Sequence, residues 1–144
     1  MNISSKAEYG IRAMTEISDG GAPVKRSLIS ERQGIPMPFL TQVLAALVNA
    51  GLVTSTRGPE GGYTLAKSAE TISLLDIVTN LQGPVMPKGC VNEANPEVCY
   101  TGGGACRLRD VWAELKEANE KVLSRVTLAE LSGGVGRAGT RAVE

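Results

Sequence analysis

Residues 52–65 read Leu52-Val53-Thr54-Ser55-Thr56-Arg57-Gly58-Pro59-Glu60-Gly61-Gly62-Tyr63-Thr64-Leu65. Two strand-forming runs flank a stretch of glycine, proline and charge that must turn, so the segment predicts a β-hairpin. What precedes it is helical. Ser5-Lys6-Ala7-Glu8 has the form of a capping box, and Ala7, Ile11, Met14 and Ile17 follow at helical spacing until Asp19-Gly20-Gly21. After the short extended piece Ala22–Lys25, a helix through Leu28, Ile29 and Arg32 ends at Gly34. Pro36 and Pro38 disfavour helix at Ile35 and Met37, so the next helix is predicted to start at about Pro38. It runs through Phe39, Leu40, Val43, Leu44, Leu47 and Val48 and closes at Gly51. Helix, helix, turn, helix, hairpin is the order of a winged helix-turn-helix: a mainly α fold with a small β-hairpin wing.

Downstream, Ser73-Leu74-Leu75-Asp76 is a second capping-box-like start, for a helix ending near Gly83-Pro84. Residues 84–106 are loop-like and hold every cysteine. Leu108, Val111, Trp112, Leu115, Ala118, Val122 and Val126 then form an apolar stripe on a long helix. From Gly133 the chain has too little apolar content to pack, and 133–144 is expected to be a flexible tail. There is no internal repeat.

Composition removes whole classes of function. The chain has 144 residues, about one domain's worth, and its 15 basic and 15 acidic groups cancel, which excludes a uniformly basic coat. Its 42% apolar and 21% charged residues are ordinary globular usage. No apolar run approaches the roughly 20 residues of a membrane span. Lys6 and Glu8 interrupt the N-terminus where a signal peptide needs an apolar run, so a cytoplasmic protein without membrane partners is expected. Histidine is absent, which excludes Ser-His-Asp and Cys-His catalysis and any histidine-ligated metal. No enzyme is expected. Within the neutral total, residues 1–67 carry seven bases against five acids, and residues 68–144 eight against ten. A positive front half suits a DNA reader.

A recognition helix enters the major groove with its first turn against the base edges. That turn supplies Phe39 for a thymine methyl and Thr41 and Gln42 for hydrogen bonds, Gln42 being suited to adenine. Lys25 and Arg26, at the entry of the preceding helix, suit phosphates. Arg57, backed by Gly58 at the hairpin tip, suits a narrow groove or a phosphate row. The plainer alternative is that the glycines merely satisfy turn dihedrals and the polar residues are solvated.

Cys90, Cys99 and Cys106 lie within seventeen residues, with eight and six residues between them. An odd count in a reducing compartment argues against a disulfide framework, and the spacing against a zinc ribbon. Glycines 89 and 102–104 let the backbone curl round a bulky ligand. Lys88, Arg107 and Arg109 favour thiolate. Soft thiolates in such a loop suit an iron–sulfur cluster. Zinc held by three thiolates and a carboxylate, and three ordinary thiols, remain as alternatives. So do a cluster-free module that docks on a metabolic enzyme and a thiol-based peroxide reductase, the latter disfavoured because no histidine or sheet-bound C-x-x-C is available to activate a cysteine.

Several blocks together resemble one family. They are Tyr9-Gly10-Ile11-Arg12-Ala13, Ile29-Ser30-Glu31-Arg32-Gln33-Gly34-Ile35, Arg57-Gly58-Pro59-x-Gly61-Gly62-Tyr63, Ile72-Ser73-Leu74, Cys106-x-Leu108 through Trp112, and Thr127-Leu128-Ala129-x-Leu131. Over about residues 1–131 the chain resembles the bacterial iron–sulfur winged-helix regulators of the IscR, NsrR and RirA family. The resemblance implies a homodimer on a pseudo-palindromic double-stranded DNA operator. It further implies a cluster on Cys90, Cys99 and Cys106 that controls DNA affinity, and subunits paired through Leu108, Val111, Trp112, Leu115 and Val122. The implied division is 1–83 for the DNA-binding winged helix, 84–107 for the cluster loop, 108–132 for the dimerisation helix and C-terminal segment, and 133–144 for the tail. Two departures matter. IscR-like members complete a [2Fe–2S] site with a histidine at the position of Arg109, which cannot ligate. NsrR-like members use a carboxylate from the partner's first helix, at the position of Glu8, which places [4Fe–4S] ahead of [2Fe–2S]. Glu8 thus has two readings, helix cap or fourth ligand, with Asp110, Glu93 and Glu97 as weaker ligands. Pro36 and Pro38 stand where relatives often carry DNA-contacting serines, so a different operator is expected.

Overall fold

A computed structural model of the protein describes residues 2–93 and 106–132. Cys99, Glu97 and the expected tail 133–144 lie outside the described residues. The elements run α1 Ser5–Gly20, α2 Arg26–Gln33, α3 Met37–Asn49, β1 Val53–Thr56, β2 Gly62–Leu65, α4 Leu74–Gln82, α5 Arg107–Arg125 and α6 Leu128–Leu131. Short 3-10 turns lie at Ala69–Thr71 and Gly89–Val91. The strands pair antiparallel in the register Val53↔Leu65 to Thr56↔Gly62. The architecture is the expected winged helix-turn-helix followed by a long helix.

Helical periodicity explains the packing. Ala7, Met14 and Ile17 of α1, Leu40, Leu44 and Leu47 of α3 and Ile77, Val78 and Leu81 of α4 enter one aliphatic core with Ile29, Ile35 and Ile72. Burial of each such side chain stabilises the fold by roughly 1.5–3 kcal/mol. Gly10 is buried where α1 crosses α4, because a Cβ there would strike Leu81. Leu128 of α6 enters the same core, and Leu123 of α5 packs on it, so the C-terminal segment is anchored to the front half.

Three local features differ from expectation. The N-cap of α1 is Ser4, not Ser5: its Oγ accepts from the Ala7 N–H at 3.1 Å, and its own N–H donates to Gln82 Oε1 at 2.7 Å. With Ser4 as N-cap the third helical position is Ala7, so Glu8 is not part of the cap. Helix α3 begins at Met37, one residue early, with Pro36 as N-cap and Pro38 in the first turn, where a missing N–H costs nothing. The extended piece around Val24 joins the wing, exchanging hydrogen bonds with Tyr63 at 3.0 and 2.9 Å.

The wing depends on two glycines for space. A Cβ on Gly61 would run into the Thr56 carbonyl, and one on Gly62 would lie 2.7 Å from the Val24 carbonyl carbon. Backbone atoms cannot yield as a side-chain tip can. Gly61→Ala is expected to lower stability by about 1–3 kcal/mol, read as a shift in the urea midpoint; an unshifted midpoint would mean that the turn has slack.

Candidate nucleic-acid interface and thiol site

Helix α3 turns Leu40, Val43, Leu44 and Leu47 into the core, which leaves Phe39, Thr41 and Gln42 exposed on its outer face. Gly34, at φ +62°, makes the sharp turn between α2 and α3, and Ser30 Oγ donates to the Ile35 carbonyl at 2.7 Å. Phe39 is 57% exposed, and its ring meets that of Tyr9 at a centroid distance of 6.5 Å. The Arg12 guanidinium lies 5.7 Å from the Tyr9 ring centroid. Phe39 is thus a braced apolar surface. Thr41 Oγ1 donates to the Met37 carbonyl at 2.9 Å, so its hydroxyl remains free to accept. Gln42 lines a groove of about 340 Å³ with Ser5, Lys6, Tyr9, Phe39 and Val43.

Lys25, the N-cap of α2, and Arg26, its first residue, are exposed, and that helix end carries neither a side-chain cap nor an acid. Cations there oppose the helix dipole. A breach of local preference of this kind is expected where function outweighs stability. Arg57 is exposed beside the turn in which Gly61 N–H donates to the Gly58 carbonyl at 2.9 Å, with Gly58 at φ +110°. Because Val24 pairs with Tyr63, Lys25 is tied to β2 close to the turn that carries Arg57. The three cations share one scaffold.

Beneath this surface lies a polar cluster that sequence reasoning missed. Gln33 is 2% exposed and Glu16 6%. Gln33 Nε2 donates to Glu16 Oε1 at 2.7 Å, Arg12 Nε donates to Gln33 Oε1 at 3.3 Å, and Arg12 Nη2 donates to the Gln33 carbonyl. Arg32 Nη1 pairs with Glu16 Oε2 at 3.4 Å. Both ends of the amide are satisfied, and α1 is fixed to the last residue of α2, just before the turn into α3. The only signal in the sequence was an acid four residues after Arg12, on the helix face that carries Met14 and Ile17 toward the core.

Glu8 is exposed and forms an i,i+4 pair with Arg12 at 3.7 Å. Cys90 sits in the Gly89–Val91 turn and Cys106 is the N-cap of α5; both are half-exposed free thiols. The turn packs against α5, and between them Cys90, Asn92, Glu93, Arg109 and Asp110 line a cleft of about 380 Å³. Among the described residues no three cysteines or acids are arranged so that they could hold a metal ion. Of the stripe on α5, Leu108 is 61%, Val111 50%, Leu115 36% and Val122 51% exposed, while Trp112 is half-buried. No helix among the described residues is long and apolar enough to cross a membrane.

The chain matches the family model described as Rrf2, iron-dependent transcriptional regulator, over residues 3–133. It is 38% identical over 135 residues to the HTH-type transcriptional regulator IscR of Yersinia pestis, covering 91% of this chain and 79% of that protein. Among solved structures it resembles CymR, the global cysteine regulator of B. subtilis, with a TM-score of 0.79 and 30% identity, covering 94% of this chain and 99% of that one. It also resembles T. potens IscR, with a TM-score of 0.72 and 34% identity over 91% of this chain and 85% of that one.

Arg57→Ala is expected to weaken binding to duplexes of any sequence and to reduce the slope of log affinity against log salt by about 1. Gln42→Ala is expected instead to relax discrimination at one base pair by roughly 1–3 kcal/mol. Fluorescence anisotropy at several salt concentrations separates the two; an unaltered salt slope would remove Arg57 from the phosphate contacts.

Proposed function

Because the chain belongs to the Rrf2 family of transcriptional regulators, we propose that it is a homodimer whose operator affinity is set by an iron–sulfur cluster. DNA-binding regulation is the activity of the family, and the chain is a regulator rather than an enzyme. On this reading residues 1–83 read DNA, 84–107 hold the cluster, and 108–132 pair the subunits.

The observation that carries the sensing part is the fixing of two thiols on elements that pack together: Cys90 in the turn docked on α5, and Cys106 at the start of that helix. Cys99 belongs to the segment joining them. The donor set fits an iron–sulfur group, since soft sulfur donors stand where the α5 N-terminus, Arg107 and Arg109 would offset the negative charge of a bound cluster. Cys90, Cys99 and Cys106 would hold it. Glu8 of the other subunit is the candidate fourth donor, because Ser4 and Gln82 already satisfy its helix end and leave its carboxylate exposed. When bound, the cluster supplies an iron centre that reacts with oxidants and nitric oxide, [4Fe–4S] fitting the lack of histidine better than [2Fe–2S].

The remaining steps belong to the protein. The Gly89–Val91 turn is docked on α5, and α5 holds the two reading heads at one separation. Two recognition helices in successive major grooves need a spacing of about 34 Å. Phe39, Thr41 and Gln42 face the bases, while Lys25, Arg26 and Arg57 face phosphates or the minor groove. A coupling of about 1–3 kcal/mol between cluster binding and head spacing gives roughly 5- to 150-fold regulation.

A second reading, a cluster-free thiol regulator, is favoured by one observation: the likeness to CymR, the global cysteine regulator of B. subtilis, with Arg109 lining the cleft beside Cys90. Anaerobic native mass spectrometry distinguishes the two, because a cluster adds iron and sulfide mass to the dimer. Cys99→Ala is expected to abolish visible absorbance and to change operator affinity by roughly 5- to 150-fold. A colourless, iron-free wild-type protein after reconstitution would establish the thiol reading instead.

A further inference from the structure

Helices α1 and α3 meet at Gly10, where a Cβ would lie 3.6 Å from Val43 Cγ1. Beside this contact they leave the groove of about 340 Å³. Ser5, Lys6 and Tyr9 form its α1 wall, and Phe39, Gln42 and Val43 its α3 wall. Spacings of three and four residues set each wall on one face of its helix. Val43 is 2% exposed and lies deepest, whereas Phe39 and Gln42 stand exposed at the rim. The groove therefore opens beside the residues placed against the bases.

Lys6 is the one charged side chain among the described residues that line this groove, and it is exposed. Among the described residues it forms no ion pair. Arg12, the other base of α1, is engaged by Glu8 and Gln33. A cation in the first turn opposes the helix dipole, so Lys6 does not owe its place to the stability of α1.

We propose that Lys6 holds one backbone phosphate of the operator at the mouth of this groove, next to the base pair that Gln42 reads. The first turn of α1 then belongs to the DNA-contacting surface, together with the α2 entry, the outer face of α3 and the wing. The proposal rests on the assignment of residues 1–83 to DNA reading. Within that assignment Lys6 is a register-setting contact: a phosphate held there fixes where Phe39 and Gln42 meet the base edges.

Continuity selects this occupant. Phe39 and Gln42 belong both to the groove and to the outer face of α3, so a strand whose bases meet them carries its sugar–phosphate past the groove mouth. Charge selects it too. A helix in the major groove, about 12 Å wide, lies between two phosphate rows. Lys25, Arg26 and Arg57 stand at the α2 entry and on the wing, and none of them lines the groove toward α1. Lys6 supplies the cation on that flank. The apolar depth of the groove, Val43 with the Tyr9 ring, suits a deoxyribose below the phosphate.

The test uses the full chain and the duplex it enriches from a randomised library, with affinity read by fluorescence anisotropy. Lys6→Ala is expected to weaken binding about fivefold per half-site and to lower the salt slope by about 1 for each subunit bound, while Lys6→Arg keeps the slope. Its thermal midpoint should not fall, since the side chain is exposed. Methylphosphonates, which remove one phosphate charge, are then placed singly along a half-site. One position should weaken the wild type about fivefold and leave Lys6→Ala unaffected. That position should adjoin the base pair at which Gln42→Ala relaxes discrimination. Wild-type affinity in Lys6→Ala, or full additivity at every phosphate, would overturn the contact while leaving the DNA reading in place. A non-additive phosphate remote from the Gln42 base pair would overturn its placement at the groove. A chain that enriches no duplex would sink the DNA reading and this proposal together.

Discussion

The presentation of the reading head depends on one buried amide. Gln33 terminates α2, and its side chain and carbonyl are held by Glu16 and Arg12 of α1. A carboxylate 6% exposed is costly to bury unless it is hydrogen-bonded, and here the Gln33 amide and Arg32 satisfy it. An apolar contact would let α2 slide or roll on α1. The hydrogen-bonded amide admits one geometry, and the turn at Gly34 transmits that geometry to α3. Packing supplies the stability of the winged helix, and this polar cluster fixes its orientation.

The same arginine stands at a junction. Arg12 pairs with Glu8, covers the Tyr9 ring that braces Phe39, and donates to Gln33. One guanidinium therefore contacts the exposed acid of α1, the apolar Phe39 of α3 through Tyr9, and the lock on α2. Its planar, always charged fork suits such a role, which a lysine could not fill with the same directionality.

Much of the fold was legible in the sequence. The alternation and glycine punctuation of residues 52–65 gave the hairpin, apolar spacing gave the helices, and Ser73 with Asp76 forms the reciprocal cap that its spacing predicts. What escaped were features set by residues distant in the chain. Ser4 displaces Ser5 as N-cap because Gln82, 78 residues away, reaches its N–H. Val24 becomes a partner of Tyr63 although its own segment has no strand periodicity. The short α6 after Thr127 was not anticipated, because four residues are too few to show a period; its capping box with Glu130 was the available cue. The exposed face of α3 and the cations at the α2 entry were readable from local pattern, whereas the Gln33 lock was not, since a buried amide looks like any surface glutamine. For the thiols, sequence gave the residue types and spacing, and the structure adds that the Gly89–Val91 turn lies against α5.

The bridge between Val24 and Tyr63 has an evolutionary consequence. Lys25 and Arg57 hang from one rigid frame and cannot be repositioned separately, whereas Phe39, Thr41 and Gln42 point outward from a helix whose stability is secured on its opposite side. On the proposed reading, a lineage can therefore rewrite that outer face one codon at a time, acquiring new promoter preferences, while the charged grip descends unaltered.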